Sequence, residues 1–217
     1  MYAIRLAIQD SGVQGIDLLA VDDGGNVKTA VERIKALNID PTVEAIIVLG
    51  QFASHADVQQ ANDKPLVIVG YWGNDVGDDD TRITVNPVLI SETAPIQSLT
   101  DLNMDEQIIG NDLFMIEQMP ELYDDLSNVE ILSSGMLPDS DFRERYINSD
   151  LYVPEPNLLA TLTYDISRLI VEAIQSNTPI TDMTYTGITG TIHFADGYWQ
   201  DAPIHHYHYE NGKLVAD

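Results

Sequence analysis

Five apolar residues in a row, Ala45–Leu49, closed by Gly50, constrain this 217-residue chain more than any other stretch. The run is β-branched at its centre and too short for a helix buried all round, so it reads as a strand covered on both faces. Strands of that kind belong to parallel sheets with helices on each side. Past Gly50 a helix is expected to start near Ser54, whose hydroxyl suits an N-cap. In open α/β sheets ligands sit beyond the carboxyl ends of such strands, where loop amides and helix N-termini point outward. A small-molecule site is therefore expected close to Gln51–His55.

The same alternation recurs on either side of this run. Ala3, Ile4, Ala7 and Ile8 stand at helical spacing and predict a helix over Tyr2–Asp10. Ile16–Val21 reads as a strand, Asp22–Gly25 as a turn, and Asn26 as the cap of a helix with Ala30, Val31, Ile34 and Leu37 on one stripe. A helix around Ala56–Ala61 and a buried strand Leu66–Val69 ending at Gly70 follow. Beyond the Gly- and Asp-rich loop Tyr71–Asp80, strands are expected at Ile83–Val85 and Gln107–Gly110, with a strand and helix over Val88–Leu102 between them. A helix over Asp112–Met119 is expected to be interrupted by Pro120, and Val129–Leu132 to be extended. Asp139, Ser140 or Asp141 caps a short charged helix to Asn148, and Asn157 caps the longest helix, with Leu159, Leu162, Ile166, Leu169 and Ile170 on one face. The tail reads as two β-hairpins, turning at Asp196–Gly197 and at Asn211–Gly212.

Ten Lys and Arg stand against 35 Asp and Glu, for a net charge of −25 spread along the chain. A field of that sign repels phosphate backbones and anionic lipid, so no nucleic-acid partner is expected. It suits a solvated acidic surface in high salt or outside the cell. With no cysteine there is no disulfide, zinc-thiolate site or thiol catalysis. No segment is apolar enough to span a bilayer, and no signal peptide is seen at the start of this chain.

Several stretches together resemble one family. Residues 156–173 (PNLLATLTYDISRLIVEA), 186–194 (TGITGTIHF) and 202–212 (APIHHYHYENG) resemble the C-terminal region of type I periplasmic solute-binding proteins, in particular the leucine, isoleucine and valine binding type of ABC-transporter receptor. Upstream, the segment from Ala3 through the DDGG turn to Leu37, VEAIIVLGQFAS, KPLVIVG and QIIGNDLF follow that pattern in order. The resemblance implies an α/β fold in two lobes that close on a ligand. One is a doubly wound parallel-sheet lobe of residues 1–86 with 151–183. The other is a reduced α/β lobe of residues 87–150 with 184–217, carrying the C-terminal hairpins. The family's pattern also has a strand and loop ahead of the helix at Tyr2, and further strand and helix units between Val85 and Val88. The first pair is absent from this sequence, and so are most of the further units.

On that resemblance the ligand is expected to meet Gln51, Phe52, Ala53 and Ser54, with an amino-acid α-carboxylate near the Ser54 hydroxyl and the following amides. Ser54 is equally read as a plain N-cap. Tyr71, Trp72 and Gly73 follow the next strand and offer aromatic area to a ligand or to the opposite lobe. Asp112 follows the strand Gln107–Gly110 and serves either a ligand amine or a helix cap. His193, His205, His206 and His208 are explained by the alternation of a half-exposed hairpin, and no metal is expected there.

No GxSxG, HExxH, GxxxxGK or GxGxxG motif is present, so no catalytic residue is assigned and no cofactor is expected. The reading is non-catalytic recognition of a small polar solute, an amino acid or amide, by a transport receptor or sensory domain outside the cytoplasm. Its further partners would be a membrane transporter or signalling protein, and a second copy in a homodimer. The alternative is a degenerate binding-protein fold acting as an interaction or dimerisation module.

Overall fold

The apolar run forms β1, Ile46–Val48, which pairs in parallel with β2, Leu66–Val69; β2 pairs in parallel with β3, Arg82–Val85. The computed structural model of the chain describes residues 1–50, 52–70, 82–85, 104–111 and 119–217. Side chains of β1 and β2 alternate between two cores. Ile46, Val48, Leu66 and Ile68 pack with Ala30 and Ile34 of α2, Val27–Ile39, and with Val58 of α3, Ala56–Gln60. Ala45, Ile47, Leu49, Val67 and Val69 pack instead with Leu162, Ile166 and Leu169 of α6, Leu158–Ser176. Both faces are covered, as the unbroken apolar runs require. Each Leu or Ile wholly buried there contributes roughly 1.5–3 kcal/mol.

The sheet runs β1-β2-β3-β8-β7-β6, with β6 at Thr184–Gly187, β7 at Gly190–Ala195 and β8 at Tyr198–Trp199. A second sheet runs β10-β9-β5-β4. Its β4, Ile108–Gly110, and β5, Val129–Ser133, are parallel, while β9, His205–Glu210, and β10, Lys213–Ala216, are antiparallel additions. Its core gathers Ile108, Met119, Val129, Ile131 and Tyr207 around Leu158, the first residue of α6. Helix α6 thus serves both sheets. On its far side it meets α1, Tyr2–Ser11, and α5, Ser140–Ile147, through Ala3, Leu6, Ala7, Phe142 and Tyr164.

The caps expected at Asn26 and Asn157 form, and of the three candidates for α5 the structure uses Asp139. Asn26 Oδ1 accepts from Thr29 N–H at 2.9 Å, Asp139 Oδ1 from Phe142 N–H at 2.7 Å, and Asn157 Oδ1 from Ala160 N–H at 3.0 Å.

Four details differ from the sequence reading. Ile16–Val21 is not a strand: its backbone joins no ladder among the described residues. The cap of α3 is His55, whose Nδ1 accepts from Asp57 N–H at 3.2 Å, and not Ser54. Pro120 lies within α4, Met119–Leu122, and residues 112–118 of the helix expected before it lie outside the described residues. Strand β6 was not foreseen, and β6–β8, expected with the second lobe, hydrogen-bond into the six-stranded sheet. The strand and helix expected over Val88–Leu102 lie outside the described residues.

Asp165, in the middle of α6, is fully buried beneath the β6–β7 turn. Its Oδ2 accepts from Thr189 N–H at 2.6 Å and from Thr189 Oγ1 at 2.7 Å. Burial raises its carboxyl above the usual range, against the hydrogen bonds from Thr189. Nearby Tyr185 is pushed up to about 12, chiefly by burial and then by the charge of Asp165.

Candidate functional site

Parallel pairing sets the strand ends level. Val48 lies opposite Ile68 and Val69 opposite Val85, so Gly50 and Gly70 leave the first sheet at the same end. Both glycines have positive φ, 107° and 84°, which an L side chain rarely adopts and which turns each loop sharply off its strand. In the second sheet Gly110 lies opposite Ile131, which places Asn111 and the Ser133–Gly135 run side by side beyond β4 and β5. Each sheet therefore has a rim of loop backbone at its carboxyl ends, where open α/β sheets hold ligands.

At the first rim, Ser54 N–H donates to Gly50 O at 3.1 Å and His55 N–H to Phe52 O at 3.3 Å. Ser54 is fully enclosed, and its carbonyl accepts from Gln59 Nε2 at 2.9 Å. Phe52 is 38% exposed and Ala53 half-buried, so these two present the loop to solvent while Ser54 lies beneath them. Gln51, Tyr71, Trp72, Gly73 and Asp112 lie outside the described residues.

At the second rim the sequence reading missed a polar group. Ser133 and Ser134 are both fully buried; Ser133 Oγ accepts from Gly135 N–H at 2.8 Å, whereas Ser134 Oγ has no hydrogen-bond partner among the described residues. A buried hydroxyl left unpaired costs on the order of 1–3 kcal/mol. Gly135 lets the rim approach α6, because an added Cβ would stand 2.6 Å from Leu158 O. Thr161 Oγ1 donates to Met136 O at 2.8 Å, and Tyr207 OH to Gly135 O at 2.7 Å, fixing the loop to α6 and β9. The signal was present in the sequence: two serines and a glycine directly after an apolar strand.

His193 lies on β7 of the first sheet, while His205, His206 and His208 lie on β9 of the second, His205 in register with Ser133. His206 Nδ1 meets Glu130 Oε1 at 2.5 Å, and His208 Nδ1 bonds Asp217. Glu130, His206 and Asp217 could each turn one ligand atom to a common point, within 4.8 Å of one another. His206 and Asp217 are exposed and Glu130 half-buried, and the two carboxylates are already engaged by imidazole rings.

These two sheets with level carboxyl ends define the type I periplasmic-binding fold, and solved structures agree. An extracellular ligand-binding receptor from Desulfohalobium retbaense superposes with TM-score 0.70 at 15% identity over 100% of this chain, which spans 55% of that receptor's length. A solute-binding protein of an ABC transporter from R. palustris, solved with benzoate, gives 0.68 at 11% identity, covering 99% of this chain and 89% of that one. An ABC-transporter substrate-binding protein from Desulfitobacterium hafniense, solved with leucine, gives 0.65 at 14% identity, covering 100% and 94%. No sequence profile of a protein family matches the chain, and no curated protein matches it in sequence. No helix among the described residues is long and apolar enough to cross a membrane.

Proposed function

We propose that this chain is a non-catalytic recognition protein that takes a small organic solute at the strand-end rims, as a receptor of ABC-transporter type or a sensory domain outside the cytoplasm. The observation that carries this reading is a rim of loop backbone at the carboxyl ends of each sheet, on a fold whose solved examples hold leucine and benzoate. Both of those ligands join a carboxylate to an apolar body, and the same class is the first candidate here. The lobes would be built on the two sheets, with β6–β8 counted in the first, and capture would come by closure rather than by covalent chemistry. Because Ser54 is enclosed, the first rim would contact the ligand through Phe52, Ala53 and backbone amides, with Gln51, Tyr71, Trp72 and Asp112 completing the set. On the second rim the unspent hydroxyl of Ser134 is the group available to a polar ligand atom.

A thermal-shift screen over amino acids including leucine, small amides and aromatic carboxylates including benzoate tests this. A binder at a hundredfold excess over its dissociation constant stabilises by about 2.7 kcal/mol. No rise in melting temperature across the panel would remove the reading.

A further inference from the structure

From sequence, the spacing of His206 and His208 is the alternation of a half-exposed hairpin, and it says nothing of what the neighbouring strands bring beside them. The register does. Tyr207 packs into the core of the second sheet with Ile131 and Leu158, so His206 and His208 stand on the opposite face of β9. Glu130 of β5 lies directly across from His208 and one step diagonally from His206. On the other side Val215 of β10 faces His208, and Asp217 N–H donates to His206 O at 3.1 Å, which continues the ladder and sets Asp217 opposite His206. Three adjacent strands thus deliver an imidazole and two carboxylates to one point, with one donor atom from each of Glu130, His206 and Asp217 within 4.8 Å of the others.

The partners of these two carboxylates differ from those elsewhere on the surface. Asp10, Asp141, Asp150, Glu155 and Glu172 form their ion pairs with arginines. Glu130 and Asp217 have no Lys or Arg ion pair among the described residues; Glu130 Oε1 meets His206 Nδ1 at 2.5 Å, and Asp217 Oδ1 meets His208 Nδ1. A guanidinium keeps its proton and has no lone pair to offer, whereas a neutral imidazole is a ready metal ligand. The surroundings hold the donors in place. Gln107 Nε2 donates to Glu130 Oε2 at 3.4 Å, and the His208 ring is held between Asp217 and, at 3.3 Å, Glu210. Outer hydrogen bonds of this kind orient the ligands of metal sites.

The donor set narrows the ion. One imidazole nitrogen and two carboxylate oxygens, in a chain without cysteine, suit a borderline ion such as Zn²⁺ rather than Ca²⁺ or Mg²⁺, which prefer oxygen alone. Donor atoms around a tetrahedral Zn²⁺ stand roughly 3.4 Å apart, and turns of the exposed His206 and Asp217 side chains close the remaining gap. Two carboxylates balance the charge of the ion, and a net charge of −25 raises the concentration of cations at the surface.

We propose that Glu130, His206 and Asp217 form a binding site for a zinc-class divalent cation, with solvent as the fourth ligand and His208 as the positioning residue for Asp217. A cation there clamps β10 and β5 to the β9 strand between them. The site lies on a sheet face and not at a strand-end rim, so it stands whether or not a solute binds.

The full chain, stripped by a chelator that is then removed, is titrated with Zn²⁺ alone by calorimetry, in enough sodium chloride to screen the general acidic field. One equivalent should bind saturably, Ca²⁺ and Mg²⁺ should fail to displace it, and the melting temperature should rise with Zn²⁺. His206→Gln should remove the site, and His208→Gln, which takes away a positioning group and no ligand, should weaken it roughly tenfold. His193→Gln, on the first sheet, should leave it unchanged. In the unaltered chain the NMR signals of the His206 ring should shift as Zn²⁺ is added, a readout that depends on no variant folding. Absence of saturable binding, equal binding of Ca²⁺, an affinity indifferent to His206→Gln (an adventitious ion only), or unmoved His206 signals would each overturn the proposal.

Discussion

Asp165 Oδ2 accepts both the backbone N–H and the hydroxyl of Thr189, at 2.6 and 2.7 Å, and so ties the middle of α6 to the β6–β7 turn. Removing the hydroxyl alone by Thr189→Val should cost about 1–2 kcal/mol in urea unfolding, because the N–H bond survives. Asp165→Ala leaves both Thr189 donors buried without an acceptor and should cost more, about 3 kcal/mol. Equal, negligible losses would show that the turn is held by other contacts.

The same carboxyl makes a pH prediction. Burial raises its folded pKa above that of the unfolded chain, so the folded state holds the proton more tightly. Its contribution to stability is present in full below the unfolded pKa and is lost as pH rises through the folded value. Asp165→Asn should flatten that segment of the stability curve, measured as urea midpoints across the acidic range. An unchanged curve would contradict the assignment.

Gly135 stands where α6 and the second rim meet. With a Cβ there 2.6 Å from Leu158 O, Gly135→Ala forces the backbone of the rim or of α6 to shift. A loss of about 1–3 kcal/mol is expected, with perturbed NMR signals for Tyr207, whose hydroxyl donates to Gly135 O. Wild-type stability in this variant would mean that the approach is looser than described.

His208 should titrate above an ordinary imidazole, because Asp217 and then Glu210 hydrogen-bond its ring. With the folded pKa raised, its contribution to stability is present below the unfolded pKa and is lost as pH climbs through the folded one. NMR titration of the ring protons gives the midpoint directly. Asp217→Asn should move it down toward the free value, and a midpoint indifferent to this change would rule out the pairing.

Self-repulsion at net charge −25 is screened by salt, since the Debye length falls from about 10 Å at 0.1 M to about 3 Å at 1 M. Melting temperature should therefore rise with sodium chloride over that range by calorimetry. A flat or falling trend would mean that the acidic groups are already compensated locally.

The strands covered on both faces were legible from sequence because burial leaves them no polar residue to mark a side: Ile46–Val48 and Leu66–Val69 are where their apolar runs are. The caps Asn26 and Asn157 were legible because each precedes an apolar helical stripe, whereas the charged helix after Asp139 left three candidates open. Ile16–Val21 shows the limit of such reading, since the pattern of a strand does not supply the neighbour that makes one. Ser54 shows another: a hydroxyl before a helix suits a cap, yet the chain starts the helix one residue later and lets an imidazole do it. Rim residues Ser133–Gly135 escaped notice because a buried serine differs from a loop serine only in what packs over it. Thr184–Gly187 carries too little apolar alternation to announce β6, which exists because β7 offers it a ladder.

Thr84 pairs with Tyr198, and Ile131 with Tyr207. On a ribosome, strands β3 and β5 would emerge long before the partners that finish their sheets, so neither sheet can be completed until β8 and β9 have left the exit tunnel. Completion of both sheets is thereby deferred to that one stretch, and a product stopped short of residue 198 would expose two half-built sheets instead of one finished and one missing.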